Sequence, residues 1–267
     1  MPIENFKPEE REKIYAMAEN VTGNCQQGSY RREIIISNVL RRVQVKKAES
    51  LDKYLQEAIS NDQEFAQLLS AFTIHTTEWF REMPHYKKFE ALLAERFKGI
   101  KKFRMQSGGC STGEEVYSFC LVLEAFRNAH PGFDYDFKAF DIDPVSVEMA
   151  KKAIYPMKDF VKIAPNYQSH LKKLDKEDTF VPDQNIKARC NFFTDNLVKL
   201  QSMQPCFEVI VCRNVLIYFT PDKVKEIIGK LVMRLVKGGV LIIGHSDSVD
   251  PKAFNLKSLG NSMYEKL

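Results

Sequence analysis

The chain has 267 residues, 44% of them hydrophobic and 28% charged, with a formal net charge of +4. That make-up suits one large globular domain or a small domain beside a core domain, and the charge is too small to point to nucleic acid. No apolar run approaches the roughly 18 residues of a membrane span, and the opening MPIENFKPEE lacks a signal peptide's apolar segment.

Residues 1–72 read as wholly helical. Pro8 and EEREKIYAMAENV set Ile14, Met17, Ala18 and Val21 on one stripe, and SYRREIIISNVLRRVQVKKAES does the same with Ile36, Val39, Leu40 and Val43. Residues 30–47 carry six basic residues against one acid, with Arg31, Arg42 and Lys46 close together beside the apolar face. Such a run is either a solvated face or a docking surface for an acidic partner. Ser50 is expected to cap the next helix, and Asn61 with Glu64 resembles a capping box. In TIHTTEWFREMPHYKKFEALLAERF, Thr76 or Thr77 is expected to cap a short helix interrupted by Pro84. Arg81 would then face the same way as Thr77, ahead of a core stripe of Tyr86, Phe89, Leu92, Leu93 and Phe97.

Phe103 to Asp141 is the organising stretch: strand FRMQS, loop GGCSTG, buried helix EEVYSFCLVLEAF and strand FKAFDID. Gly108, Gly109 and Gly113 allow a close backbone approach at a strand-to-helix turn. Asp141 ends the second strand, where a carboxylate can accept both hydroxyls of a ribose. The G-x-G-x-x-G spacing is missing and the acid lies farther along than in dinucleotide folds, so a nucleoside without pyrophosphate, S-adenosylmethionine above all, fits better than NAD. Asp143-Pro144 caps the next helix. Residues 155–192 read as a small β insertion, with β-like pieces near Thr179–Val181 and Ile186–Phe193. FEVIVC is a buried strand ending in Arg213 and Asn214, Thr220-Pro221 opens a helix closed by Gly238-Gly239, and VLIIGHSDS and the C-terminal residues supply the last two strands. Strands alternating with helices make a doubly wound α/β domain. Six cysteines show no C-x-x-C and five histidines no H-E-x-x-H, so reduced thiols and no metal site are expected.

HTTEWFRE, SGGCSTGEE, AFDIDP, DNL, CRNVLIYF and GHSDS, in that order, resemble the chemotaxis receptor methyltransferases of the CheR family over nearly the whole chain. The resemblance implies a Rossmann-like methyltransferase sheet over 73–267, a helical receptor-docking domain over 1–72 and a β-subdomain at 155–192. It implies a cytoplasmic monomer that uses S-adenosylmethionine to form glutamate methyl esters on chemoreceptor cytoplasmic helices, releasing S-adenosylhomocysteine, without inserting in the membrane or binding nucleic acid. Carried over by position, cofactor contacts fall on His75, Thr77, Arg81, Gly109, Glu115, Asp141, Asn196, Leu197, Arg213 and Asn214. Arg81 and Tyr218 face the transfer centre, and Arg31, Arg42 and Lys46 hold the receptor. The sequence departs from the pattern at His75 (often asparagine), Val116 (usually proline) and Asp247 (a glutamate after GHS). A scaffold without activity and a small-molecule methyltransferase of the same fold are the alternatives.

Overall fold

The computed structural model describes residues 5–24, 29–174, 178–201 and 203–267, leaving Cys25 and Gly28 outside. Helices α1 (Pro8–Thr22), α2 (Ser29–Val45), α3 (Leu51–Ser60) and α4 (Asp62–Ala71) enclose a core of their own, with Ile14, Ala18, Val39, Tyr54, Leu68 and Phe72 at its centre. Ser50 caps α3 by accepting from the Lys53 N–H at 3.2 Å, and Asn61 caps α4 by accepting from the Glu64 N–H at 3.0 Å. Glu64 does not reciprocate as a capping box would: its buried carboxylate is taken by Arg42 and the Tyr54 hydroxyl.

The next stretch departs from the sequence expectation. Residues 74–78 are irregular, Thr76 and Thr77 cap nothing, and α5 (Met83–Leu92) begins with Pro84 in its first turn. A proline's missing N–H costs nothing there, so Pro84 starts a helix and does not interrupt one. The stripe from Tyr86 to Phe97 is buried as expected.

The organising stretch forms β1 (Lys102–Gly108), α6 (Glu114–Ala129) and β2 (Asp134–Asp141), with β1 and β2 parallel from Lys102 opposite Asp134 to Gly108 opposite Phe140. Next come α7 (Pro144–Lys152), β3 (Tyr155–Pro156), the single turns α8 (Met157–Phe160) and α9 (Pro165–Gln168), β4 (Leu171–Leu174), β5 (Thr179–Pro182) and the turn α10 (Gln184–Lys187). Strands β3, β5 and β4 make a separate antiparallel sheet. The insertion's hairpin is therefore β4–β5. The piece expected near Ile186–Phe193 divides into α10 and β6 (Cys190–Thr194), and β6 joins the main sheet beside β2. Its residues Phe192 and Phe193 pack on Tyr117 of α6 and Phe140 of β2, neither of which belongs to the insertion.

The chain ends with β7 (Phe207–Cys212), α11 (Pro221–Arg234), β8 (Leu235–Ile243), β9 (Leu256–Gly260) and β10 (Met263–Lys266). α11 stops at Arg234, so Gly238-Gly239 lies inside β8, where the pairing with β7 shifts register, and does not close the helix. The sheet order is β6-β2-β1-β7-β8-β10-β9, with β10 alone running antiparallel to its neighbours. From β1 the chain winds outward through β2 to β6, then returns to lay β7 on the other side of β1. That reversal opens a crevice at the carboxyl ends of β1 and β7, the place where open α/β sheets take ligands. No helix among the described residues is long and apolar enough to cross a membrane.

Candidate functional site

A cavity occupies that crevice. It is lined by His75, Thr77, Arg81, Gly109, Glu115, Asp141, Asn196, Leu197, Arg213, Asn214 and Tyr218, brought together from five separate stretches of chain. The loop after β1 forms its floor. Gly109 holds φ +80°, and a Cβ there would stand 3.2 Å from the Val215 side chain. Gly113 caps α6 at φ +97°, where a Cβ would come 2.9 Å from the Tyr155 hydroxyl. Both conformations are strained for a residue with a side chain, so the loop needs glycine at each.

Asp141 ends β2 almost wholly buried. Its Oδ2 accepts from the Ser111 N–H at 2.8 Å and its Oδ1 from the Asp143 N–H at 3.0 Å. Burial raises its pKa, and the two N–H groups and the neighbouring His75 pull it only part of the way back. A carboxylate can accept about four hydrogen bonds, so Asp141, which lines the cavity, keeps capacity for two more donors. Asn196, on the opposite wall, is fixed by accepting from the Val198 N–H at 2.9 Å.

Glu115 and Arg213 line the cavity as an ion pair, Nη1 to Oε2 at 3.0 Å. Arg213 also stands 3.3 Å from Glu82 and from the Tyr86 hydroxyl, and donates to the Arg81 carbonyl. Burial alone would lower the pKa of this guanidinium, but Glu115, Tyr86 and Glu82 outweigh it and hold the charge. Burial raises the Glu115 carboxyl, with Arg213 and the Ser107 hydroxyl opposing. The pair thus braces α6 against the end of β7. Asn214 takes φ +58°. Its N–H donates to Asp247 at 2.7 Å, and the same carboxylate accepts from the Gly244 N–H at 2.9 Å and the Ile217 N–H at 3.2 Å. Asp247, noted in the sequence only as a departure, is the clasp between the loops after β7 and β8.

His75 sits against α7. Its Nε2 lies 3.0 Å from Asp143 Oδ2 and 2.6 Å from the Thr73 hydroxyl, and Nδ1 lies near the Ser111 and Ser146 hydroxyls. Burial works against the charged ring, but the hydrogen bond to Asp143 and the charges of Asp141 and Asp143 prevail and raise its pKa. Burial opposes the charge on Asp143 too, yet His75 and Ser146 lower its pKa overall. The stabilisation from a raised histidine is complete below its unfolded value of about 6.5 and disappears as pH climbs through the folded value. That from a lowered aspartate is present above about 3.9 and disappears as pH falls through the folded value. Thermal midpoints should therefore decline as pH rises from about 6.5 through the raised value, and His75→Asn should flatten that alkaline limb. An unchanged limb in the variant would show that the pair does not set it.

Tyr218 forms part of the wall in a short turn after β7. Burial raises its phenol, opposed by Arg31 and Arg81. The Arg31 guanidinium lies 4.6 Å from the centre of its ring, and Nη1 donates to the Ile217 carbonyl at 2.8 Å. Arg42 grips both Glu64 oxygens at 2.8 Å, and Lys46 Nζ lies 3.4 Å from the same carboxylate. The three cations expected to hold the receptor are therefore each engaged within the chain, although Lys46 stays exposed. Arg31 ties α2 to the turn after β7, and the buried Glu64 carboxylate anchors Arg42 with Lys46 at its edge. The helical region also supplies four cavity residues that carry no motif, Thr22, Asn24, Ile35 and Phe72; the meeting of α1 with the loop after β6 places the first two there.

Residues 75–263 match the CheR methyltransferase, SAM binding domain family. The chemotaxis protein methyltransferase of Salmonella typhimurium is 27% identical over 245 residues, 88% of this chain and 82% of that one. That of Listeria monocytogenes is 27% identical over 235 residues, 87% of this chain and 86% of that one. Chemotaxis protein methyltransferase 1 of Vibrio cholerae is 26% identical over 231 residues, 83% of each. The family match spans well over half of the chain and includes every residue of the cavity from His75 to Tyr218, so the chain belongs to the CheR methyltransferase family.

Proposed function

We propose that the chain esterifies glutamate side chains on the cytoplasmic helices of chemoreceptors with S-adenosylmethionine as methyl donor, in chemotactic adaptation. The observation that carries this is the cavity at the sheet's switch point, with Asp141, Asn196 and the Glu115–Arg213 pair on its walls. The cavity fits a nucleoside. Asp141 has capacity for two ribose hydroxyls, the glycine loop allows close backbone approach, and Leu197 and Phe140 offer apolar surface for a base. Bound S-adenosylmethionine supplies an activated methyl on a sulfonium.

What remains for the protein is alignment. A glutamate with a pKa of about 4.3 is already ionised at neutral pH, so no general base is required. His75, the one histidine on the cavity wall among the described residues, is engaged by Asp143. We assign Arg81 to orienting the incoming carboxylate and Tyr218 to shaping the transfer centre. Arg81 now donates to the Thr76 carbonyl at 2.6 Å, a contact that an acceptor carboxylate would exchange for itself. Holding reactants in line contributes up to ~7–11 kcal/mol in well-oriented systems. The receptor helix would approach along α2 and the turn after it, where Arg41, Lys46 and Lys47 are exposed. The helical region as docking domain, action as a monomer and a cytoplasmic setting belong to this same reading.

Single-turnover transfer of labelled methyl to receptor cytoplasmic fragments tests it. Arg81→Ala should slow transfer about 10²-fold, and Tyr218→Phe about tenfold for one lost hydrogen bond. The label should be released by mild base, as from an ester. Full rates in both variants would remove these two roles, and absence of base-labile label on any receptor fragment would sink the function.

A further inference from the structure

We propose that Glu82, His85 and His245 bind one divalent cation of the zinc class, outside the cofactor cavity, at the seam between the start of α5 and the turn after β8. One ligating atom from each residue, two imidazole nitrogens and a carboxylate oxygen, lies within 4.8 Å of the others. His85 is fully buried, and neither ring nitrogen meets a hydrogen-bond partner. A buried polar ring with no partner is costly and calls for an explanation. Its Nδ1 faces Glu82 Oε2 at 3.3 Å without hydrogen-bond geometry, and the His245 ring crosses its own edge-on at 4.7 Å. An ion held between the two imidazoles and the carboxylate would satisfy one of those nitrogens.

The distances suit such an ion. With metal–ligand bonds of about 2.0–2.2 Å, a tetrahedron has edges of about 3.3–3.6 Å. The His85–Glu82 edge already has that length. His245 Nδ1 stands 3.8 Å from Glu82 Oε2, and its half-exposed side chain is free to close the small remainder and to give an ion access from solvent. Glu82 is oriented from outside by Asn214 Nδ2 at 3.0 Å on Oε1 and by the His245 N–H at 3.2 Å on Oε2, the outer support that metal ligands use. Arg213 Nη2, 3.3 Å from the same oxygen, opposes a cation, but it is itself faced by Glu115. Two carboxylates, Glu82 and Glu115, thus share that one guanidinium, which leaves the cluster short of positive charge. Two imidazoles and one carboxylate with a fourth position for water suit zinc, whereas magnesium and calcium take oxygen ligands. Glu82 and His85 are three residues apart, but His245 lies far along the chain, so no local spacing exposes the set. Because Arg81 precedes Glu82 and Asn214 touches it, an ion here would brace two walls of the cavity.

Cobalt(II) is the probe. Chelator-treated protein titrated with Co2+ should develop the visible absorption of a four-coordinate ion at one equivalent, and Zn2+ should displace it. His245→Ala, chosen because the side chain is half exposed, should lose that absorption and bind Zn2+ at least tenfold more weakly, while His130→Ala should match the parent. No absorption in the parent, or an equal signal in His245→Ala, overturns the site. X-ray absorption of the zinc-loaded parent gives a second reading independent of any variant: two imidazoles in the first shell support the site, and fewer than two overturn it.

Discussion

Asp141→Ala is expected to weaken S-adenosylhomocysteine binding by about 10²–10⁴-fold, since a hydrogen bond to a charged acceptor is worth ~1.5–3 kcal/mol and two would be lost. The argument rests on free valence. Both carboxylate oxygens are already pinned by backbone N–H groups, from Ser111 and Asp143, so the side chain has no freedom to turn from the cavity. Burial keeps the carboxyl above its usual range, which means that further donors would be strongly favoured. Asp141→Asn keeps the shape but replaces one acceptor oxygen with a donor that clashes with a hydroxyl or an N–H, and should fall between the parent and the alanine variant. Isothermal titration, with circular dichroism to verify the fold, measures both. Parent-like affinity in Asp141→Ala would leave the ribose without its proposed anchor.

The second large effect concerns Arg213. Its side chain is 1% exposed and is shared by Glu115, Glu82, Tyr86 and the Arg81 carbonyl. Removing one member of a buried ionic cluster typically costs ~3–5 kcal/mol, because the remaining charges stay buried and uncompensated. In a domain of this size that corresponds to a fall in thermal midpoint of roughly 6–20 °C. Arg213→Ala should show this fall with no ligand present, together with lost S-adenosylhomocysteine binding. Arg213→Lys should recover only part of the stability, because an ammonium cannot fork between several acceptors. If the ligand-free midpoint of the alanine variant equals that of the parent while affinity falls, Arg213 touches ligand only and braces nothing. Scanning calorimetry of the three proteins separates the cases.

Elements whose causes are local were legible in the residues alone. β1, α6 and β2 follow from an apolar run, a glycine loop and a buried helical pattern, and Asp143 follows from the cap-plus-proline pair; all stand where the residues place them. The order of motifs also identified the residues that end up around one cavity, since ligand-binding loops follow strand ends. What lay beyond it was set by contacts between distant segments. Pro84 reads equally well as a breaker or as a first-turn residue, and only the burial of Tyr86 and Phe89 against α6 decides for a helix start. Cys190–Thr194 has the look of any short strand, and its choice of β2 over the insertion is a matter of pairing, which leaves no trace in a run of five residues. The charges show this most sharply. Composition displays Arg31, Arg42 and Lys46 as one basic face, whereas their meaning depends on where Glu64, Ile217 and Tyr218 are carried by the rest of the chain. A hydrophobic pattern acts through its own period along the backbone, but a charge acts through whichever partner comes within a few ångströms, and that partner is chosen by the tertiary structure.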